Sequence, residues 1–113
     1  MMNINITCRH MEVTSALRDH AQQAVEATLT EFPRIEHVHL IMDVEKYRHF
    51  AEVVVQAKNH VRVEGKEESD DMYHSIEAAL NKAQKQLRKL RDKIQDHKHT
   101  ESLGELEAHS LPE

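Results

Sequence analysis

Glycine is nearly missing from this chain, which has two, Gly65 and Gly104, in 113 residues. A phosphate-cradling loop needs several glycines close together, so a glycine-rich phosphate loop is nearly excluded. Cysteine occurs once, at Cys8, which excludes an internal disulfide and fits a reducing cytoplasm. Tryptophan is absent, and Phe32, Tyr47, Phe50 and Tyr73 are the only Phe and Tyr residues. A sheet that stacks bases on several aromatic rings is therefore not expected. No apolar run reaches the length that crosses a bilayer. The opening MMNINITCRH does not read as a secretory leader. A cytoplasmic protein with no membrane role is the expectation.

What is present points to one domain, the natural reading of 113 residues with 39% hydrophobic content. NINITC alternates, with Ile4, Ile6 and Cys8 on one side, as in a half-buried strand. Thr14 has the chemistry of a helix N-cap. Leu17, Ala21, Val25 and Leu29 follow at helical spacing, and Pro33 is expected to end that helix. Three more alternating runs follow. Val38, Leu40, Met42 and Val44 share one face, then Ala51, Val53, Val55 and Ala57, then Val61 and Val63. Lys58-Asn59-His60 and residues 45–49 are the expected hairpin connections.

The last element is the clearest. Met72, Ile76, Ala79, Leu80, Ala83, Leu87, Leu90 and Ile94 recur every three or four residues. Ser69 or Asp70 is the expected cap, with Asp70 and Asp71 in the first turn. The spacing predicts a helix to about residue 96. The order β-α-β-β-β-α, with one apolar face per strand, predicts an α+β two-layer sandwich. Both helices cover one face of a four-stranded sheet. The other face should show Asn5, Thr7, His37, His39, Asp43, Glu52, Gln56, Arg62 and Glu64. Residues 1–97 form the expected domain, and 98–113 an acidic, disordered tail.

Charge is concentrated. Residues 1–81 carry 8 basic and 14 acidic side chains, and residues 99–113 carry 0 and 4. Residues 82–98 carry 7 and 2, within a chain of net charge −5. Screening makes the local balance matter more than the total. At about 100° per residue, Lys82, Lys85, Lys89 and Lys93 share one stripe, about 130° from the apolar seam. Arg88 and Arg91 lie on the other flank. Lysines one turn apart, about 5.4 Å, can track phosphates along a nucleic-acid backbone without reading bases. An ordinary solvated helix face has the same spacing.

Other constellations are weaker. Among ten histidines, His37 and His39 share a strand face, and His97 and His99 flank Lys98. Neither pair has a thiolate or a third ligand at a usual spacing, so no metal is expected. Cys8 and His10 lie on one side by alternation but lack an orienting group, so no catalytic residue is expected. Glu45, Glu67, Glu68, Asp70 and Asp71 read as solvation and helix capping rather than a cation site. No cofactor is implied.

Three blocks carry a family resemblance: NINITCRHMEVTSALRDHAQQ, VEKYRHFAEVVV and KEESDDMYHSIEAALNKAQKQLRKLRDKI. In this order, over about residues 2–97, they resemble the ribosome hibernation promoting factor family, which includes the ribosome-associated translation inhibitor. Cys8 stands where the family often has glycine. The resemblance implies a fold similar to a double-stranded-RNA-binding domain. It also implies binding to the small ribosomal subunit in the channel that holds messenger RNA and transfer RNAs. It implies further that translation is blocked in stationary phase or stress, and that idle ribosomes are protected.

Matched to the family's basic positions, Lys82, Lys85, Lys89 and Lys93 would contact ribosomal RNA phosphates, with Arg88 and Arg91 basic beside them. Lys46, Arg48 and His49 match a family motif in the hairpin and are further RNA-binding candidates. The family usually has lysines in the first helix, whereas QQAVEATLTEFPR has none. The resemblance implies a short form, monomeric off the ribosome. Short members act with a ribosome modulation factor to pair ribosomes or, in the inhibitor type, keep single ribosomes idle. A free-standing double-stranded-RNA binder and a protein-interaction module remain the alternative readings.

Overall fold

The computed structural model describes residues 2–99, with side chains over residues 2–93. The alternating runs form four strands: β1 (Asn3–Arg9), β2 (Ile35–Glu45), β3 (Arg48–Ala57) and β4 (Val61–Ser69). The helically spaced runs form α1 (Ser15–Leu29) and α2 (Met72–His99). The sheet order is β1-β2-β3-β4. β1 runs parallel to β2, as the intervening α1 requires, and the two hairpins are antiparallel. This is the expected α+β sandwich.

Register aligns the apolar positions into rows across the sheet. Ile4, Val38, Val55 and Val63 form one, and Ile6, Leu40, Val53 and Gly65 another. Above them lie Leu17, Ala21, Val25 and Leu29 of α1, and Ile76, Ala79, Leu80, Ala83 and Leu87 of α2, all buried. The second row ends on a glycine where α2 comes closest. A Cβ at Gly65 would sit 2.3 Å from the Ala79 carbonyl oxygen and 3.2 Å from the Ala83 nitrogen. α2 therefore rests on β4 backbone to backbone, with two alanines as its contact surface.

Local chemistry sets the element ends. Thr14 Oγ1 accepts from the Leu17 N–H at 3.1 Å and caps α1. Thr14→Ala should cost about 1 kcal/mol, seen as a lower urea midpoint at unchanged slope. α1 stops at Leu29 with Thr30 as its C-cap, ahead of Pro33. Tight turns take over there, from Phe32 N–H to Leu29 O and from Ile35 N–H to Phe32 O. The β3–β4 turn does without glycine by placing Asn59 and His60 at φ 67° and 63°. Asn and His are among the residues that tolerate this region.

The start of α2 differs from the expected cap. Asp71, not Ser69 or Asp70, supplies the carbonyl that accepts the first helical bond, from Ser75 N–H at 3.0 Å. Asp70 and Asp71 precede the first turn instead of occupying it. The Ser69 hydroxyl is used earlier. It accepts from Asp71 N–H at 3.2 Å and lies 2.6 Å from Ser75 Oγ. The buried Ser75 hydroxyl in turn donates to the His49 carbonyl at 2.8 Å. Helix α2 continues to His99, past its expected end near residue 96 and into the expected tail of 98–113, the rest of which lies outside the described residues.

The open face of the sheet carries the expected polar residues, but Ile41, Phe50 and Val54 sit among them, half-buried. No described helix is long and apolar enough to cross a membrane.

Candidate nucleic-acid interface

Helix α2 divides its surface among four neighbours. One side is core. A second meets the edge strand β4, where Lys82 Nζ donates to the Lys66 carbonyl at 2.8 Å and pairs with Glu67 at 2.9 Å. One turn on, Gln86 Nε2 donates to the Glu64 carbonyl at 2.6 Å. A third side meets the end of α1. There Arg88 holds Glu31 through two bonds, Nε to Oε2 at 3.1 Å and Nη2 to Oε1 at 2.9 Å. Arg91 Nη1 donates to the same Oε2 at 3.1 Å, and its guanidinium lies 5.2 Å from the Phe32 ring centre. Gln84 Nε2 donates to the Thr28 carbonyl at 3.0 Å.

The fourth side faces solvent and carries Lys85 and Lys89, both exposed, with Lys93 half-exposed at its far end. None of the three forms an ion pair among the described residues. The six basic residues expected to act together on α2 thus have different surroundings. Lys82 ties the helix to β4, Arg88 and Arg91 tie it to α1, and Lys85, Lys89 and Lys93 pair with no carboxylate among the described residues. The outer surface of α1 adds little positive charge. Its exposed residues include Arg18, Asp19, Gln22, Gln23 and Glu26.

These contacts hold their carboxylates charged. The Arg88 hydrogen bond, with Arg91 beside it, lowers the Glu31 pKa below its ordinary 4.5. The Lys82 hydrogen bond does the same for Glu67. A depressed carboxylate contributes stability above pH 4.5 and loses it as pH falls through the lowered value. Any stability gap between wild type and Glu31→Gln at pH 7 should therefore close as pH falls below 4.5 and through the lowered value, read as converging urea midpoints. An unchanged gap would mean that ionised Glu31 is not its source.

The β2–β3 hairpin gathers the other RNA-binding candidates at one end of the sheet. Lys46 takes φ 59° in the turn, and Tyr47 is 74% exposed at its tip. Arg48 pairs with Glu68 at 3.0 Å. His49 is half-buried, and its Nδ1 is buried without a hydrogen-bond partner. Lys82 is the α2 lysine nearest to these candidates: it pairs with Glu67, next to the Glu68 that Arg48 holds.

The remaining candidates separate. Cys8 packs against the core, and burial raises its thiol pKa. His10 does not stay on its side. The strand ends at Arg9, and His10 adopts φ 59°, which breaks the alternation. Its Nδ1 lies 2.8 Å from Asp43 Oδ1, a hydrogen bond that lowers the Asp43 pKa. His39 Nε2 is taken by Thr7 Oγ1 at 2.8 Å. Among the described residues, no three His, Cys, Asp or Glu side chains are grouped to hold a metal. The His97 and His99 side chains lie outside the described residues.

With this geometry in view, comparison with known proteins places the chain. Residues 4–95 match the model of the Sigma 54 modulation protein / S30EA ribosomal protein family. The chain belongs to that family. It is 35% identical over 94 residues to the ribosome hibernation promoting factor of Pseudomonas putida, covering 83% of this chain and 91% of the relative. Against the protein of the same name from Escherichia coli (strain K12), identity is 31% over 96 residues, covering 85% and 100%. The fold is shared with a ribosomal subunit interface protein from Coxiella burnetii. The TM-score is 0.75 at 23% identity, covering 80% of this chain and 99% of that one. The Thermus thermophilus Protein Y N-terminal domain gives 0.71 at 23% identity, covering 79% and 99%.

Proposed function

We propose that this protein is a ribosome hibernation factor, a non-enzymatic silencer that binds the small ribosomal subunit in the cytoplasm. It occupies the channel used by messenger RNA and transfer RNAs, and blocks translation by filling it. The reading rests on family membership and on the names of the relatives. The observation that carries it in this chain is the solvent-facing row Lys85, Lys89 and Lys93, whose ammonium groups have no carboxylate partner among the described residues. Such a row supplies phosphate affinity without base reading, which suits a rigid RNA surface recognised by shape.

In this reading Lys82, Arg88 and Arg91 add to the contact by exchanging protein partners for phosphates. Lys46, Arg48 and His49 form a second contact at the hairpin. Silencing belongs to stationary phase or stress, when idle ribosomes need protection. A ribosome modulation factor is the proposed partner where ribosomes are paired.

The test is co-sedimentation with small subunits through a sucrose gradient. Wild type should travel with the subunit, and the Lys85→Glu, Lys89→Glu, Lys93→Glu triple variant should stay at the top. Equal co-sedimentation of the two at physiological salt would sink the mechanism. Equally tight binding of wild type to naked duplex RNA would favour a free-standing RNA binder.

A further inference from the structure

We propose that Arg88 and Arg91 form an anion site whose occupant in the free protein is Glu31, replaced by a nucleic-acid phosphate on binding. The inference rests on the ribosomal reading above for its ligand, but not for the site. Three hydrogen bonds of 2.9–3.1 Å converge from two guanidiniums on one carboxylate. A phosphate presents the same paired oxygens to the same fork. The carboxylate here plays the part of an internal phosphate.

The contact is built to exchange. The side chains of Glu31, Arg88 and Arg91 are 33%, 49% and 41% exposed, and exposed pairs contribute little to stability. Releasing Glu31 leaves the rest of the seam standing. Arg91 stays against the Phe32 ring, Gln84 still bonds Thr28, and Leu29, Phe32 and Leu87 remain buried together. The site would be emptied without being dismantled.

Position supports the same conclusion. Arg88 lies three residues after Lys85, so the two are neighbours on the helix surface. A phosphate chain held by Lys85 and Lys89 passes within reach of the guanidinium. Glu31 then sets a threshold. A weak polyanion meets only the lysines, and only a ligand that brings a phosphate to Arg88 gains the second set of contacts.

The test compares wild type with Glu31→Gln, which keeps the shape and removes the charge. Glu31→Gln should bind small subunits several-fold more tightly, with a salt dependence steeper by roughly one unit in log–log slope. In an Arg88→Gln, Arg91→Gln background, Glu31→Gln should bring no such gain. A gain that survives the Gln replacements reflects general charge removal and overturns the proposal. Unchanged or weaker binding by a folded Glu31→Gln overturns it too.

If neither protein binds subunits, the ribosomal reading falls, and pyrophosphate titration decides the site alone. The Arg88 Nε–H resonance should then move saturably in Glu31→Gln and stay still in wild type. No movement in the variant overturns the proposal.

Discussion

Gly65→Val is expected to abolish folding, and Gly65→Ala to cost about 3 kcal/mol, the upper end of ordinary overpacking. The added methyl would meet the Ala79 carbonyl oxygen at 2.3 Å. That atom is backbone, so no rotamer change relieves the contact, and trimming Ala79 does not remove it. The whole of α2 has to lift. Lifting separates Lys82 from the Lys66 carbonyl and Gln86 from the Glu64 carbonyl, and opens the core beneath Leu80 and Ala83. A domain of this size has roughly 5–15 kcal/mol in total, so Tm should fall by more than about 10 °C for Gly65→Ala. Lys66→Ala, one residue on with its side chain exposed, should stay within about 0.5 kcal/mol. Equal Tm values for Gly65→Ala and wild type would show that α2 does not rest on β4 in this way.

Reversing Lys85, Lys89 and Lys93 to Glu should weaken binding to small subunits by at least about a hundredfold at physiological salt. The argument is from counterion release. Each ammonium that neutralises a phosphate contributes roughly 0.7–0.9 to the slope of log affinity against log salt. Losing three contacts should flatten that slope by roughly 2 to 3. Reversal also adds repulsion, so a Lys→Gln triple should fall between wild type and the Glu variant. Lys85 and Lys89 are exposed, so Tm should barely move, which separates lost binding from lost fold. Lys82 is left in place because it bridges to β4. Reversing it would mix the two effects.

Most of the fold was legible because period-2 and helical spacing are local signals that tertiary contacts did not override. Val38-Leu40-Met42 and Ile76-Leu80-Ala83-Leu87 each declared both their element and their buried side. The polarity of the open face was read less completely. Ile41, Phe50 and Val54 fall on it by the same alternation, but their apolar character draws attention toward the core. The hairpin at Asn59-His60 lacked the glycine that marks such turns most clearly, and the left-handed φ of His60 had no local signal.

Long-range pairing was not legible. A helical wheel puts Arg88 and Arg91 on one flank, yet Glu31 lies 57 and 60 residues away. Only the docking of α1 against α2 brings it there. The same holds for Lys82, which the wheel groups with Lys85, Lys89 and Lys93 by angle. Its distinction lies in reaching the edge of β4. His10 misled for a local reason. Alternation holds only to Arg9, where the strand ends, and the turn at His10 carries no signal in the sequence.

The Lys82 and Gln86 bonds to β4 also govern how this sheet can associate. An incoming strand adds to a sheet by pairing with backbone groups left open at its edge. On β4 the Glu64 and Lys66 carbonyls already have side-chain donors from α2, which stand in the way of a newcomer along that stretch of the border. β1 is the other border of the sheet. Strand addition at the β4 margin would first have to displace Lys82 and Gln86, which hinders propagation from molecule to molecule through both borders. A sheet with one guarded border is less prone to fibre growth than a sheet with two open ones.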